Sequence, residues 1–211
     1  MLKPPFLGEE RIFIMNNRFS LKTITKIAIL SAVAMVVMLL DFPVPVAPSF
    51  YKLDLSEVPV LIGGFAMGPL EAVLIELLKN LLKLMVKGTG TGFVGELANF
   101  VTGCAFVLPA AMIYHKNKTR VNALKGLLVG ALTFIVFGDL FNYFVLIPAY
   151  VAILHYPLEA IIGAGTAIFP TLVTNQVTLV LVCVTLFNTV KAILVGVVTL
   201  LLYKRVSPLL H

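Results

Sequence analysis

The chain has 211 residues, of which 60% are apolar and 12% charged, with a formal net charge of +6 at pH 7 and a mean hydropathy of +1.04. Soluble domains carry about 45–50% apolar and about 25% charged residues, so this composition excludes a soluble globular protein and indicates an all-α integral membrane protein. The length allows about six crossings of about 20 residues and no sizeable soluble domain, and positive charge in such a chain marks cytoplasmic loops, not a nucleic-acid partner.

Residues 1–20, MLKPPFLGEERIFIMNNRFS, are interrupted by acids and lack the apolar run of a cleavable signal peptide. They read as a cytoplasmic or interfacial extension. The first membrane segment is Leu21–Leu40, with its apolar core from Ile27. It contains Ala28-Ile-Leu-Ser-Ala32, a small-residue spacing that lets helices approach closely. That pattern serves packing inside the bundle or, on a peripheral helix, docks another subunit.

The following stretch, DFPVPVAPSFYKLDLSE, carries Pro43, Pro45 and Pro48 yet is largely apolar. A solvated linker would be polar, so it is expected to fold back as a lid or to line a pocket mouth. The second and third segments, about Glu57–Met67 and Leu70–Val86, are too short or too polar to face lipid everywhere, and are expected inside the bundle or along a cavity. Glu76, Lys79, Asn80 and Lys83 form one polar stripe on the third. Either Glu76 pairs internally with Lys79 or Lys83, or the stripe borders a solvated cavity.

Gly90-Thr-Gly92-Phe-Val-Gly95 matches the dinucleotide fingerprint in letters only. It joins two membrane helices, without the strand that fingerprint needs, and reads as a turn. The fourth segment, about Phe93–Tyr114, opens with Glu96 and Asn99 at i, i+3, in either a cap or a ligand role. The fifth, about Val121–Val151, holds the close-packing pair Gly126 and Gly130 and the stretch GDLFNYFVLIPAY. The sixth, about Val177–Tyr203, holds LFNTVKAIL. Cys104 and Cys183 lie in apolar segments with no second cysteine or histidine near, so they read as small buried hydrophobes, with neither disulfide nor metal site.

Asn142 lies about 15 Å and Asn188 about 16 Å from the outer ends of their helices at 1.5 Å per residue. The two amides therefore sit at similar depth on neighbouring helices. Lys191 shares a face with Asn188. An ammonium near the bilayer centre costs about 2.5–3.5 kcal/mol on insertion scales, which makes Lys191 a functional-site candidate. A structural Asn–Asn hydrogen bond is the competing reading of the asparagines. Whether a ligand or Asp139 takes the lysine charge stays open at this point.

Basic residues cluster before the first segment, between the fourth and fifth, and after the sixth. With six crossings all three clusters fall on one side, which places both termini in the cytoplasm. The chain thus divides into an extension (1–20), a six-helix membrane domain (21–205) and a tail (206–211).

AILSA, LDLSEVPVLIGGFAMGPLEAVLIELLKNLL, GELANFVTGCAFVLPAAMIY, FNYFVLIPAY and LFNTVKAIL together resemble the riboflavin-specific S component of energy-coupling factor (ECF) transporters, over about Leu21–Lys204. The resemblance implies a multi-pass protein of the bacterial plasma membrane that binds riboflavin near its outer face. It would work with a transmembrane coupling subunit and two cytoplasmic ATPases. It further implies that Asn142, Asn188 and Lys191 hold the flavin, that Glu96 and Asn99 contribute, that Phe50 to Leu53 cover it, and that Ala28 and Ala32 dock the coupling subunit. Riboflavin is then cargo, and no cofactor, metal or catalytic residue is implied. Phe141 and Tyr143 would pack on the ring if they face inward. The stretch Ala152–Gln176 is longer and more apolar than the family pattern.

Two other classes fit the sequence less well. An ion-coupled secondary transporter of a small polar-aromatic solute would use Glu76, Lys191 or Asp139 as a relay, but the halves show no convincing internal repeat. An intramembrane enzyme would need a nucleophile–base or His/Asp cluster, and His115, His155 and His211 fall at helix ends or loops. The sequence GxxxxGK[ST] is absent, so the chain does not hydrolyse ATP by that route.

Overall fold

The computed structural model describes residues 20–210. The predicted extension lies outside the described residues apart from Ser20. That serine caps the first helix, α1 (Leu21–Leu39), its Oγ accepting from the Thr23 N–H, which satisfies one of the free donors of a helix start. The long connection then forms a two-residue antiparallel pair, Phe42–Pro43 with Lys52–Leu53, in register Phe42 to Leu53. This hairpin departs from the all-α expectation, and its prolines fit so short an edge.

Five further helices of the bundle follow. They are α2 (Glu57–Ala66), α3 (Pro69–Lys87), α4 (Val94–Lys116), the continuous α5 (Arg120–Leu154), and a last helix from Gln176 to Leu210. Between the last two lies a short helix, α6 (Leu158–Thr166), so the final one is α7. The stretch 206–210, set aside as a tail, continues that helix. The segment boundaries agree with the sequence reading to within a few residues, except that the last helix runs on past Tyr203 to Leu210 and that α6 lies within the stretch Ala152–Gln176, where no helix is expected. Ile161 of α6 packs with Ile147, Val173, Leu179 and Cys183 in a satellite core.

Four helices, α1, α4, α5 and α7, are long and apolar enough to cross a membrane. The ten-residue α2 is buried along its whole length and contacts α1, α3, α4 and α7. It is the hub of the main core, where Leu61, Phe65, Ile75, Phe106 and Val195 meet. The protein is thus a helical membrane protein in which the second segment is short and internal as expected. The third, α3, is instead 19 residues long; it buries Glu71, Ala72, Ile75, Glu76, Lys79 and Asn80 and exposes Leu81, Met85 and Val86 on its other face.

The two small-residue patterns part company. A Cβ at Gly126 would sit 2.6 Å from the Ala110 carbonyl oxygen, and one at Gly130 2.5 Å from that of Phe106. Both glycines therefore serve close packing of α5 on α4. Ala28 and Ala32, by contrast, face outward, while Ile27, Leu30, Ser31, Ala34 and Met38 form the buried face of α1.

Candidate functional site

At the end of the bundle that carries the hairpin, a cavity of about 450 Å³ opens between α3, α4, α5 and α7, within the size range of small-molecule sites. Its wall includes Phe50 and Tyr51 of the hairpin, Glu96 and Asn99 of α4, Asn142 and Tyr150 of α5, and Phe187, Asn188 and Lys191 of α7. The structure thus brings together six of the seven residues named from sequence as substrate-binding. Leu53 is the exception. It is fully buried and packs with Ala47 and Phe187 behind the wall, because the strand alternation that turns Lys52 outward turns Leu53 into the core. Phe141 and Tyr143 also lie off the wall: Phe141 stacks on Phe137, and the Tyr143 carbonyl accepts from Gln176 Nε2.

Both asparagines sit beside a change of helix pitch. Residues Asn142–Leu146 of α5 and Val180–Val184 of α7 form π-helical turns, single-turn bulges that frequently mark functional sites. Asn142 Nδ2 donates to the Gly138 carbonyl at 2.8 Å. Its Oδ1 accepts from the Tyr51 hydroxyl at 2.7 Å. Asn188 Nδ2 donates to Asp139 Oδ1 at 3.2 Å, and the other Asp139 oxygen accepts from the Thr185 hydroxyl at 2.7 Å. Gly138 admits this arrangement, since a Cβ there would lie 2.8 Å from Asn188 Nδ2. Asn142 and Asn188 thus use separate partners instead of bonding to one another.

The lysine has its own partners. Lys191 Nζ lies 3.1 Å from Asp54 Oδ2 and 3.3 Å from Glu57 Oε1. Neither a ligand nor Asp139 is needed to explain the charge. Glu57 also receives Lys79 at 3.4 Å, and Lys79 lies 2.8 Å from Glu76. Burial disfavours the ionised Asp54, but Lys191, Lys79 and the Ser56 hydrogen bonds outweigh it and hold the carboxyl at about 2. This network fixes the root of the hairpin loop to α3 and α7. The polar stripe divides between its two readings: Glu76 pairs internally with Lys79, whereas Lys83 lines the cavity and reaches across to Glu96 at 3.2 Å.

Glu96 is the organiser of the cavity rim. Besides Lys83 it accepts from the Thr89 and Thr91 hydroxyls at 3.0 and 3.1 Å, which folds the Gly88–Gly92 turn over the start of α4. Gly88 and Gly92 have φ of +68° and +55°, backbone that suits glycine, so GxGxxG is a turn here. Asn99 differs: its Oδ1 is buried and has no protein donor, an acceptor that calls for a partner from the cavity or its water.

Sequence reasoning included Tyr51 only within the covering stretch Phe50 to Leu53, and missed Asp54, Glu57, Tyr150 and Phe187. Asp54 and Glu57 carried a readable signal, two acids flanking the start of a short apolar helix in a chain with unexplained membrane lysines. The bond of Tyr51 to Asn142 carried none, because it depends on how the hairpin folds back. Burial, with Tyr150, Cys183 and Asp139 nearby, pushes the Tyr51 phenol well above the ordinary range, so it acts as a neutral donor.

A family model described as ECF transporter, substrate-specific component, matches residues 22–203. The chain is 31% identical over 188 residues to the riboflavin transporter FmnP of Bacillus subtilis (strain 168), spanning 89% of this chain and 93% of that one. It is also 31% identical over 205 residues to the riboflavin transporter RibU of Staphylococcus aureus (strain TCH60), spanning 95% and 96%. A solved S component of a bacterial ECF transporter superposes with a TM-score of 0.69 at 32% identity, covering 90% of this chain and 97% of that one.

Proposed function

The chain belongs to the ECF transporter substrate-specific component family, a class of transporter subunits and not of enzymes, and from that premise we propose that it is the riboflavin-binding subunit of a bacterial vitamin importer. The observation that carries this reading is the cavity that gathers Asn99, Asn142, Asn188 and Lys191 beside Phe50, Tyr51 and Phe187. An isoalloxazine ring presents carbonyl and ring-nitrogen acceptors with one imide donor, and a ribityl chain presents hydroxyls. Three asparagine amides and an ammonium match that mixture, while the aromatic residues suit its apolar faces. The relatives named riboflavin transporters, aligned over nearly their whole length, support the same cargo.

In this reading α1, α2, α3, α4, α5 and α7 are the six crossings, both termini are cytoplasmic, and the cavity opens outward. The outward-facing Ala28 and Ala32 dock a transmembrane coupling subunit, which two cytoplasmic ATPases drive. The hairpin around Phe50 covers the ligand. An ion-coupled relay has less support, since Glu76 and Lys191 are each locked in buried ion pairs. Titrating ligand-free protein with riboflavin and following the loss of flavin fluorescence tests the proposal. Saturable quenching at one site per chain is expected, and unquenched fluorescence would refute it.

A further inference from the structure

A primary amide can turn either its oxygen or its nitrogen to a pocket. A site whose amides rotate freely would accept a donor or an acceptor at the same place. Neither Asn142 nor Asn188 has that freedom. The Gly138 carbonyl has no proton to give, so the Asn142 atom 2.8 Å from it is the nitrogen, and the oxygen is left for the Tyr51 hydroxyl.

Asn188 is fixed by a side chain instead. Asp139 makes no ion pair among the described residues, which is unusual for a carboxyl at membrane depth. What it has are two donors, Thr185 on Oδ2 and Asn188 on Oδ1. Oδ2 faces a hydroxyl that can serve it whether or not it carries a proton. The Thr185 hydroxyl can also turn to the Val180 carbonyl at 3.1 Å and accept from Oδ2, so Oδ1 is the oxygen left to accept, and Asn188 Nδ2 donates to it at 3.2 Å. One N–H of Asn188 is thereby used, and its carbonyl oxygen and second N–H remain for the cavity that Asn188 lines. Asp139 itself is not on that wall.

We propose that Asp139 is a positioning residue that sets the polarity of the Asn188 amide, so that the cavity offers a carbonyl oxygen to the imide N–H of the flavin ring. This rests on the riboflavin reading. It assigns to Asp139, through Asn188, the choice of an imide edge over an edge of the same shape that lacks the proton.

The test compares riboflavin with 3-methylriboflavin, in which the imide proton is replaced, on the wild-type chain and on Asp139→Asn. The wild type should prefer riboflavin by about fivefold or more, the effect of a buried acceptor left unpaired. In Asp139→Asn the new amide can meet Asn188 with either atom. Riboflavin affinity should fall about tenfold, and the preference between the two flavins should shrink toward one. A variant that weakens both flavins equally with the preference intact would show a merely structural role and overturn the proposal. An unchanged affinity would overturn it too. If the wild type binds riboflavin but does not prefer it, the positioning role fails while the riboflavin reading stands. If the wild type binds neither flavin, both fail. Should Asp139→Asn not fold, Asp139→Ala carries the test: it removes both oxygens that face Asn188 and Thr185, frees the amide to turn and should reduce the preference, and an undiminished preference would overturn the proposal.

Discussion

Asp54 and Lys191, 137 residues apart in sequence, meet at 3.1 Å in a buried ion pair that ties the loop before α2 to the middle of α7. Glu57 lies 3.3 Å from the same ammonium, and Lys191, with three N–H donors, also lines the cavity. The lysine is therefore both a ligand candidate and the pin that holds the hairpin loop in place.

Lys191→Ala should act on both roles. It strands Asp54 and Glu57 with Lys79 as their remaining cation, and breaking a buried pair costs about 3–5 kcal/mol. The expected outcome is a large fall in thermal stability of the ligand-free protein together with weaker riboflavin binding. Thermal unfolding with and without riboflavin checks this, and a variant as stable and as tight as wild type would refute it.

Acid should loosen the same pair only at low pH. Asp54 is held at about 2 in the fold against about 3.9 for a free aspartate. A depressed carboxyl stabilises the fold above its ordinary value and loses that contribution as pH falls from about 4 toward about 2. Melting temperature should thus be insensitive to Asp54 between pH 5 and 8. A decline across that window that vanishes in Asp54→Asn would contradict the assignment.

Glycines in the helices should divide sharply. At Gly126 a Cβ meets the Ala110 backbone 2.6 Å away, whereas at Gly196 nothing lies within 4 Å. Gly126→Ala should lower the unfolding temperature because α4 and α5 must separate. Gly196→Ala should be neutral or stabilising, by up to about 1 kcal/mol from helix propensity. Equal effects at the two positions would count against the α4–α5 contact.

Ala28→Trp and Ala32→Trp should spare riboflavin binding by the isolated chain and abolish uptake by the assembled transporter, since both residues face outward and away from the cavity. Binding on purified protein and uptake in cells expressing all subunits check the two halves. Uptake that survives both substitutions would remove the docking role.

The helices were legible because an apolar run in a membrane has few alternatives. The depth match of Asn142 and Asn188 followed from the helix rise alone. The pairing of Lys191 was half legible: Asp54 and Glu57 stand out beside a short apolar helix, but which lysine they reach depends on a loop whose path no periodicity encodes. Leu53 was misplaced for a related reason: a two-residue strand decides its face, and so short a strand leaves too little alternation to read. The π turns likewise leave no mark in the residue pattern, although both adjoin the site.

The most direct test of flavin capture is the visible absorption spectrum of the protein purified after expression in riboflavin-containing medium. Flavin capture predicts a yellow protein with bound riboflavin near one per chain. It also predicts that the flavin-free form regains that spectrum when riboflavin is added and the excess is removed. A colourless preparation that retains no added riboflavin would contradict it.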